Sequence, residues 1–204
     1  KGDRRNRSIS TGEVAEYAVF QLGRPISGRG RYADEIAARV SIGEGYSKHV
    51  PTWAFGCQVA EVEVDLLTGQ VDVLNMTAIH EAGRIINPML AEGQMEGALA
   101  QGLGYALKEE CITKQGVLQN SSFVDYKIFH AEDMPDANMG FVELTDSLGP
   151  LGAKGLGEMG LVAIAPAIAN AIHHATGLEL NELPMNPERI LMALEKKNGG
   201  ACVA

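Results

Sequence analysis

Residues 54–83 read AFGCQVAEVEVDLLTGQVDVLNMTAIHEAG. Two runs of period-two alternation flank Thr68-Gly69. In the first run Ala60, Val62, Val64 and Leu66 share one face, and Glu61, Glu63 and Asp65 share the other with the apolar Val59. Alternation of this kind marks half-buried strands, and Thr-Gly between the runs marks the turn that joins them. A β-hairpin follows directly, with one face in the core and one in water.

The rest of the chain is read outward from that hairpin. Downstream, Asn87-Pro88 opens MLAEGQMEGALAQGLGYALKEE. Asn87 is a good N-cap, and Pro88 at the first helical position has no amide hydrogen to lose. On a helical wheel Gly93, Gly97 and Gly104 form a narrow stripe, with Gly102 elsewhere. Each glycine costs about 1 kcal/mol against alanine inside a helix, so the stripe needs a reason. Either the helix packs closely on a sheet, or something other than a side chain lies along that face.

CITKQGVLQN predicts a second hairpin turning at Gly116, SSFVDYKIFHAEDMPD a connection, and GFVELTD another strand. Pro166 falls in the first turn of the next helix, which Gly177 ends as a C′ glycine. ELNELPMN reads as a short strand and turn, and PERILMALEKK as a terminal amphipathic helix. Upstream, Thr11 is the expected cap of a helix through EVAEYAVFQL, with Val14, Ala18 and Leu22 on one face; RPISGRGRYA reads as a short strand. Helices and strands mix without a βαβ rhythm. The fold class is therefore α+β, with a mixed, largely antiparallel sheet and packed helices.

Composition narrows the function. The chain has 204 residues, 46% hydrophobic, 24 glycines and a formal net charge of −9. That charge argues against nucleic acid or anionic lipid as partner. The apolar run 161–172 is too short, and too interrupted by Pro166 and Asn170, to predict a membrane span. No secretory signal is visible, and Cys57, Cys111 and Cys202 are far apart. A disulfide framework, a zinc site or an iron–sulfur site within the chain is not expected, and a reducing, cytoplasmic location is.

Residues 149–160 read GPLGAKGLGEMG, with Glu158 the only acid. The segment contains a literal GxGxxG before a helix, so a nucleotide-binding module is the first alternative. Three features oppose it. GPLGAK is not a strand, no second strand ending in an acid follows, and Glu158 sets negative charge where a pyrophosphate would lie. A solvated acid in a glycine-rich turn is the second alternative. Leu156, Met159, Leu161 and Val162 make the setting apolar, so the expectation is a partly desolvated carboxylate suited to general-base work. The flanking glycines leave room for ligands and expose amides that can donate to an anionic or metal-bound oxygen.

Two stretches together carry a resemblance. INPMLAEGQMEGALAQGLGYALKEE (86–110) and GPLGAKGLGE (149–158) are similar to motifs of the molybdenum-binding large subunit of molybdenum hydroxylases. This family includes xanthine dehydrogenases, aldehyde oxidoreductases and carbon monoxide dehydrogenases. FVDYKIFHAEDMPD, APAIANAIHHATG and ELPMNPERI follow in the same order, so the resemblance runs over residues 55–194. It implies hydroxylation of an aldehyde, purine or N-heterocycle carbon with oxygen from water. The cofactor implied is molybdenum on molybdopterin, in bacteria often the cytosine dinucleotide form. Glu158 matches the family's general base, which takes a proton from the metal's hydroxyl ligand. Gln94 matches the cofactor-bonding glutamine; Lys154, Gly155 and Gly157 match the loop whose backbone borders the metal. That gives a candidate occupant for the glycine stripe. Residues 6–10 weakly resemble another cofactor-contacting loop.

The resemblance also implies partners: the remainder of the molybdenum subunit, and 2Fe-2S and FAD on other chains or domains, besides a small-molecule substrate. Two departures stand out. Met159-Gly160 replaces the family's proline after the glutamate, which changes loop stiffness. The family's subunit is several times longer, so residues 1–204 are expected to be a C-terminal fragment or one chain of a split subunit. Exposed apolar surface and self-association are then expected, and a non-catalytic assembly domain is the remaining alternative. His80 precedes Glu81-Ala82-Gly83-Arg84, where the family has H-D-x-G-R; a hydrogen-bonded strand-end histidine or a cofactor contact are the two readings. Trp53 fits either core or interface. The pairs Glu109-Glu110 and Glu132-Asp133 are expected on solvated faces.

Overall fold

The computed structural model describes residues 8–30 and 52–199. The hairpin forms as its alternation predicts. Strand β1 (Phe55–Val64) pairs antiparallel with β2 (Val71–Glu81), and Ala60, Val62 and Val64 turn inward. The turn closes through the Gly69 amide on the Asp65 carbonyl at 2.8 Å, with Gly69 at φ +73°. The register shifts between Glu61 and Val62, a bulge that leaves Leu74 unpaired and half exposed. Strand β5 (Asp136–Val142) joins the other edge of β2 in parallel, so β2 is central and the sheet is mixed. It starts before the GFVELTD segment expected from sequence and ends within it. The small hairpin β3 (Thr113–Lys114) and β4 (Val117–Leu118) turns at Gln115 and Gly116, both at positive φ.

A parallel partner needs a long crossover, and the crossover from β2 to β5 contains helix α2 (Pro88–Leu103). Asn87 caps it by accepting the Leu90 amide at 3.2 Å. The helix ends in a π turn, Gly104–Lys108, closed by the Glu109 amide on the Gly104 carbonyl at 2.7 Å. Helix α3 (Met159–Val162) is one turn long, and α4 (Ile164–Thr176) follows after a break at Ala163. In α4, Ile164, Ile168 and Ile172 recur every four residues and are fully buried. Each contributes about 1.5–3 kcal/mol by burial. They pack with Met76, Leu99, Leu103, Met185 and Ile190 in one core beneath the sheet. Residues Met159–Thr176 reach a membrane-like mean hydropathy of 1.2. The stretch is bent at Ala163, and the apolar face of α4 is spent on this core. Helix α5 (Pro187–Lys197) is capped by Asn186 on the Arg189 amide at 3.0 Å, and its Lys197 reaches the Thr176 carbonyl at the end of α4.

Several local expectations change. Helix α1 (Thr11–Glu16) continues as a π turn, Tyr17–Gln21, but its cap is Ser10, in a reciprocal box with Glu13, and not Thr11. A serine with Glu three residues on satisfies two helix-end donors, which Thr11 could not. Only Ala18 of the predicted face is buried; Val14 and Leu22 are exposed. Residues 24–30 form no strand, and 31–33 of that segment lie outside the described residues. ELNELPMN is also not a strand, because no strand among the described residues pairs with it. The acidic pairs are not simply solvated. Glu109 accepts the Tyr126 hydroxyl at 2.6 Å, Glu110 the Arg189 guanidinium at 2.7 Å, and Asp133 the Lys108 ammonium at 2.9 Å. Trp53 is 76% exposed, so it is not core.

Candidate functional site

The glycine loop 149–158 is fastened to the chain that leaves β2. The Lys154 amide donates to the Ala82 carbonyl at 2.9 Å, and the Arg84 amide to the Gly152 carbonyl at 2.8 Å. Gly83 bridges Ala153 at φ +68°, and any Cβ there would strike the Gly152 carbonyl. Beneath this seam lies an ion pair. Lys154 Nζ donates to Glu81 Oε2 at 2.6 Å and to the Trp53 carbonyl at 2.7 Å, while Glu81 Oε1 accepts the Gly83 amide at 2.7 Å. Both side chains are at most a tenth exposed. The Lys154 ammonium holds the Glu81 carboxyl below the usual carboxylate range.

At the loop's far end, Glu158 stands at the N-cap of α3 without making a cap bond. Two residues on, Gly160 seats α3 on α2: a Cβ there would lie 2.9 Å from both Met95 and Ala98. Gln58 Nε2 donates to the Gly160 carbonyl at 2.6 Å. Between the two fastenings Gly155 and Gly157 are bare, with open space where a Cβ would project. Glu158 itself is exposed, which corrects the expectation of a desolvated carboxylate. Leu156, Met159 and Leu161 are only half-buried and Val162 is 70% exposed, so no apolar wall of described residues closes over it.

The glycines of α2 and of the π turn that follows it divide. Gly102, outside the stripe, meets Ile164 of α4, and Gly104 meets the carboxylate of Glu109. Gly93 and Gly97 face open space. Helix–sheet packing therefore does not explain these two. A groove of about 230 Å³, which neither of them lines, runs between the first turns of α2 and the loop, lined by Arg84, Asn87, Leu90, Gln94, Lys154 and Leu156. The structure thus brings together two of the sequence-predicted residues, Gln94 and Lys154. Gly155, Gly157 and Glu158 lie farther along the same loop and do not line this groove. The Lys154 ammonium is committed to Glu81, so what it offers a ligand is its backbone and its placement of the loop.

Sequence reasoning missed Glu81 and Gln58. Parity was the available signal for Gln58: it shares the inward face with Ala60, Ala78 and His80. Gln58 Nε2 lies 3.0 Å from His80 Nε2. His80 is 2% exposed at the end of β2, over Gly56, whose missing side chain leaves room for the ring. The hydrogen-bonded strand-end reading of His80 is right for one ring nitrogen. Nδ1, like Gln58 Oε1, is buried without a partner among the described residues. Burial pushes the imidazole below its ordinary value. Residues 6–7 of the weakly matching segment, and His49, lie outside the described residues.

Gly93, Gly97, Gly155 and Gly157 are each open where a Cβ would project, and the groove shared by α2 and the loop mixes Leu90 and Leu156 with Arg84 and Gln94. Such a lining offers a bound ligand apolar contact, one cation and one amide. Comparisons with known proteins agree with that chemistry. The family model described as molybdopterin cofactor-binding domain matches residues 2–135. The chain is 40% identical over 139 residues to the xanthine dehydrogenase molybdenum-binding subunit of Escherichia coli O157:H7, covering 67% of this chain and 18% of that protein. It is 33% identical over 190 residues to the gamma subunit of the 6-hydroxypseudooxynicotine dehydrogenase complex of Paenarthrobacter nicotinovorans, covering 91% and 24%. Among solved structures, quinoline 2-oxidoreductase from Pseudomonas putida 86 superposes with a TM-score of 0.66 at 33% identity, over 70% of this chain and 19% of that one. The chain thus spans about a fifth of the length of the curated relatives it matches.

Proposed function

The chain belongs to the molybdopterin cofactor-binding domain family of the molybdenum hydroxylases, and from that premise we propose that residues 1–204 form the C-terminal part of a subunit that hydroxylates a small aldehyde, purine or N-heterocycle. When bound, molybdopterin with its molybdenum supplies the two-electron redox chemistry at the substrate carbon, with water as the source of oxygen. The chain's own residues bind, orient and move a proton. The Gln94 amide, exposed on the groove, offers the cofactor one donor group and one acceptor. The backbone of Gly155 and Gly157, unobstructed by side chains, lets the cofactor and substrate approach the loop closely. Lys154 holds the loop through Glu81. Glu158 accepts, at a carboxylate oxygen, the proton of the hydroxyl transferred to substrate. Its exposure leaves that carboxylate open for cofactor and substrate to cover, which excludes water when they arrive.

The observation that supports this reading most directly is the seating of the Glu158-bearing loop on α2 through Gly160, with Gln94 of that helix and Lys154 of that loop lining one groove. The rest of the subunit, and chains or domains carrying 2Fe-2S and FAD, are the partners proposed. The relative from Paenarthrobacter nicotinovorans is itself named as one subunit of a complex. The test is Glu158→Gln in the complete enzyme. Molybdenum content should be unchanged and turnover should fall by about 10²–10⁴, the usual contribution of a general base. Turnover near normal would refute the assignment.

A further inference from the structure

Gln58 and His80 lie in neither the cofactor groove nor the loop, yet they meet the loop at the residue that fixes its end. On the inward face of the hairpin, Gly56 pairs with His80 and Gln58 with Ala78, so the glutamine and the imidazole are diagonal neighbours. The Gln58 amide nitrogen is shared: 2.6 Å to the Gly160 carbonyl and 3.0 Å to His80 Nε2. The carbonyl can only accept, so the glutamine atom facing it is the donor nitrogen, and its two hydrogens serve Gly160 and the ring. His80 Nε2 must then accept, and the imidazole proton sits on Nδ1. This tautomer follows from the network alone.

We propose that Gln58 and His80 are positioning residues for Glu158: the neutral, Nδ1-protonated ring of His80 orients the Gln58 amide, which holds the Gly160 carbonyl and thereby the first turn of α3 beneath Glu158. The proposal rests on the reading of Glu158 as the base. The arrangement leaves Gln58 Oε1 and His80 Nδ1 buried without partners. Unpaired buried groups are costly, and they persist where something else is gained by the arrangement.

The pair also behaves as a proton-sensitive device. A proton added to His80 places an N–H on Nε2, against the N–H of Gln58. Relief requires the amide to turn over, which sets Oε1 against the Gly160 carbonyl and breaks the bond to α3. No charge nearby offsets this among the described residues. On β1 the ring faces Gly56 and the neutral Gln58, and β5 opposite it, from Met139 to Val142, and α3 carry no titratable side chain; Glu158, at the N-cap of α3, is exposed to water. Glu81 and Lys154, the adjacent charges, are paired with each other. Burial already disfavours the charged ring.

The test uses the complete molybdenum-binding subunit loaded with cofactor. Gln58→Met keeps the volume and removes both donors; Gln58→Leu also removes them should the methionine variant fail to load. Hydrogen–deuterium exchange is read at residues 158–162, where the Leu161 amide bonds the Glu158 carbonyl. Exchange there should quicken about tenfold, the equivalent of one hydrogen bond, with the rest of the chain unchanged. The kcat should fall about tenfold, with KM and molybdenum content held. In the unaltered protein, protection at 158–162, corrected for intrinsic rate, should fall as His80 takes up its proton, and Gln58→Met should abolish that dependence. Unchanged exchange at 158–162, or faster exchange with unaltered kcat, overturns the positioning claim while an inactive Glu158→Gln leaves the base standing. A fully active Glu158→Gln removes the base, and the positioning claim with it.

Discussion

The two halves of α2 use glycine for opposite purposes. In the C-terminal half, Gly102 lets Ile164 of α4 lie against the helix backbone, next to Leu103 and Ala106, which are fully buried. In the N-terminal half, no atom of the described residues lies where a Cβ on Gly93 or Gly97 would project, and Gln94 between them is exposed. One half trades a side chain for packing that the chain itself supplies. The other accepts the same helical penalty, about 1 kcal/mol per glycine, for a surface that the described residues leave open. A glycine in a helix is thus informative only when its neighbour is known.

This contrast can be attacked in order of effect. The largest effect belongs to the open side: Glu158→Gln should remove about 10²–10⁴ of turnover while leaving the urea unfolding curve unmoved. Next is the seam that carries the loop. Lys154→Met should leave the Glu81 carboxylate buried and unpaired, and lower unfolding stability by about 3–5 kcal/mol. A loss under 1 kcal/mol would mean the pair is dispensable. On the packed side, Gly102→Ala forces a methyl into Ile164 and should lower stability by about 1–3 kcal/mol. Its counterpart on the open side reverses sign. Gly97→Ala should raise stability by up to about 1 kcal/mol in urea unfolding and lower molybdopterin loading. If both alanine substitutions destabilise alike, the division of α2 fails.

Stability against pH separates the two fastenings of the loop. His80 is depressed from 6.5, so the unfolded chain binds its proton more readily. Its contribution is complete above that value and lost as pH falls from 6.5 towards the folded value. Glu81 is depressed from 4.5; its contribution is present above 4.5 and lost as pH falls through its folded value. His80→Gln should therefore flatten the slope just below pH 6.5, and Glu81→Gln only the slope below 4.5.

The sequence was most readable where a residue's role depends on its nearest chain neighbours. The alternation around Glu61 and Glu63 gave both strands of the hairpin, Asn87-Pro88 gave the start of α2, and Gly177, left-handed at φ +69°, gave the end of α4. The resemblance carried the family assignment that the comparisons establish. Roles fixed by distant partners were not readable. Lys154 finds Glu81 across 73 positions, and Gln58 finds Gly160 across 102. Thr11 was mistaken for a cap because Ser10 beside it differs only in where Glu13 falls in the turn. ELNELPMN has strand-like local composition, but a strand also needs an edge to pair with, and none among the described residues pairs with it. The solvent exposure of Glu158 depends on how α3 is seated on α2, a tertiary fact that apolar neighbours in sequence do not encode.

The glycine loop is tethered at Ala153-Lys154 and again at Gly160, while the residues between bear little of the fold's weight. Mutational change can accumulate at those intervening sites without endangering folding. Chemistry and architecture can thus diverge at separate rates along a single stretch of polypeptide, giving one scaffold room to diversify its reactants through descent.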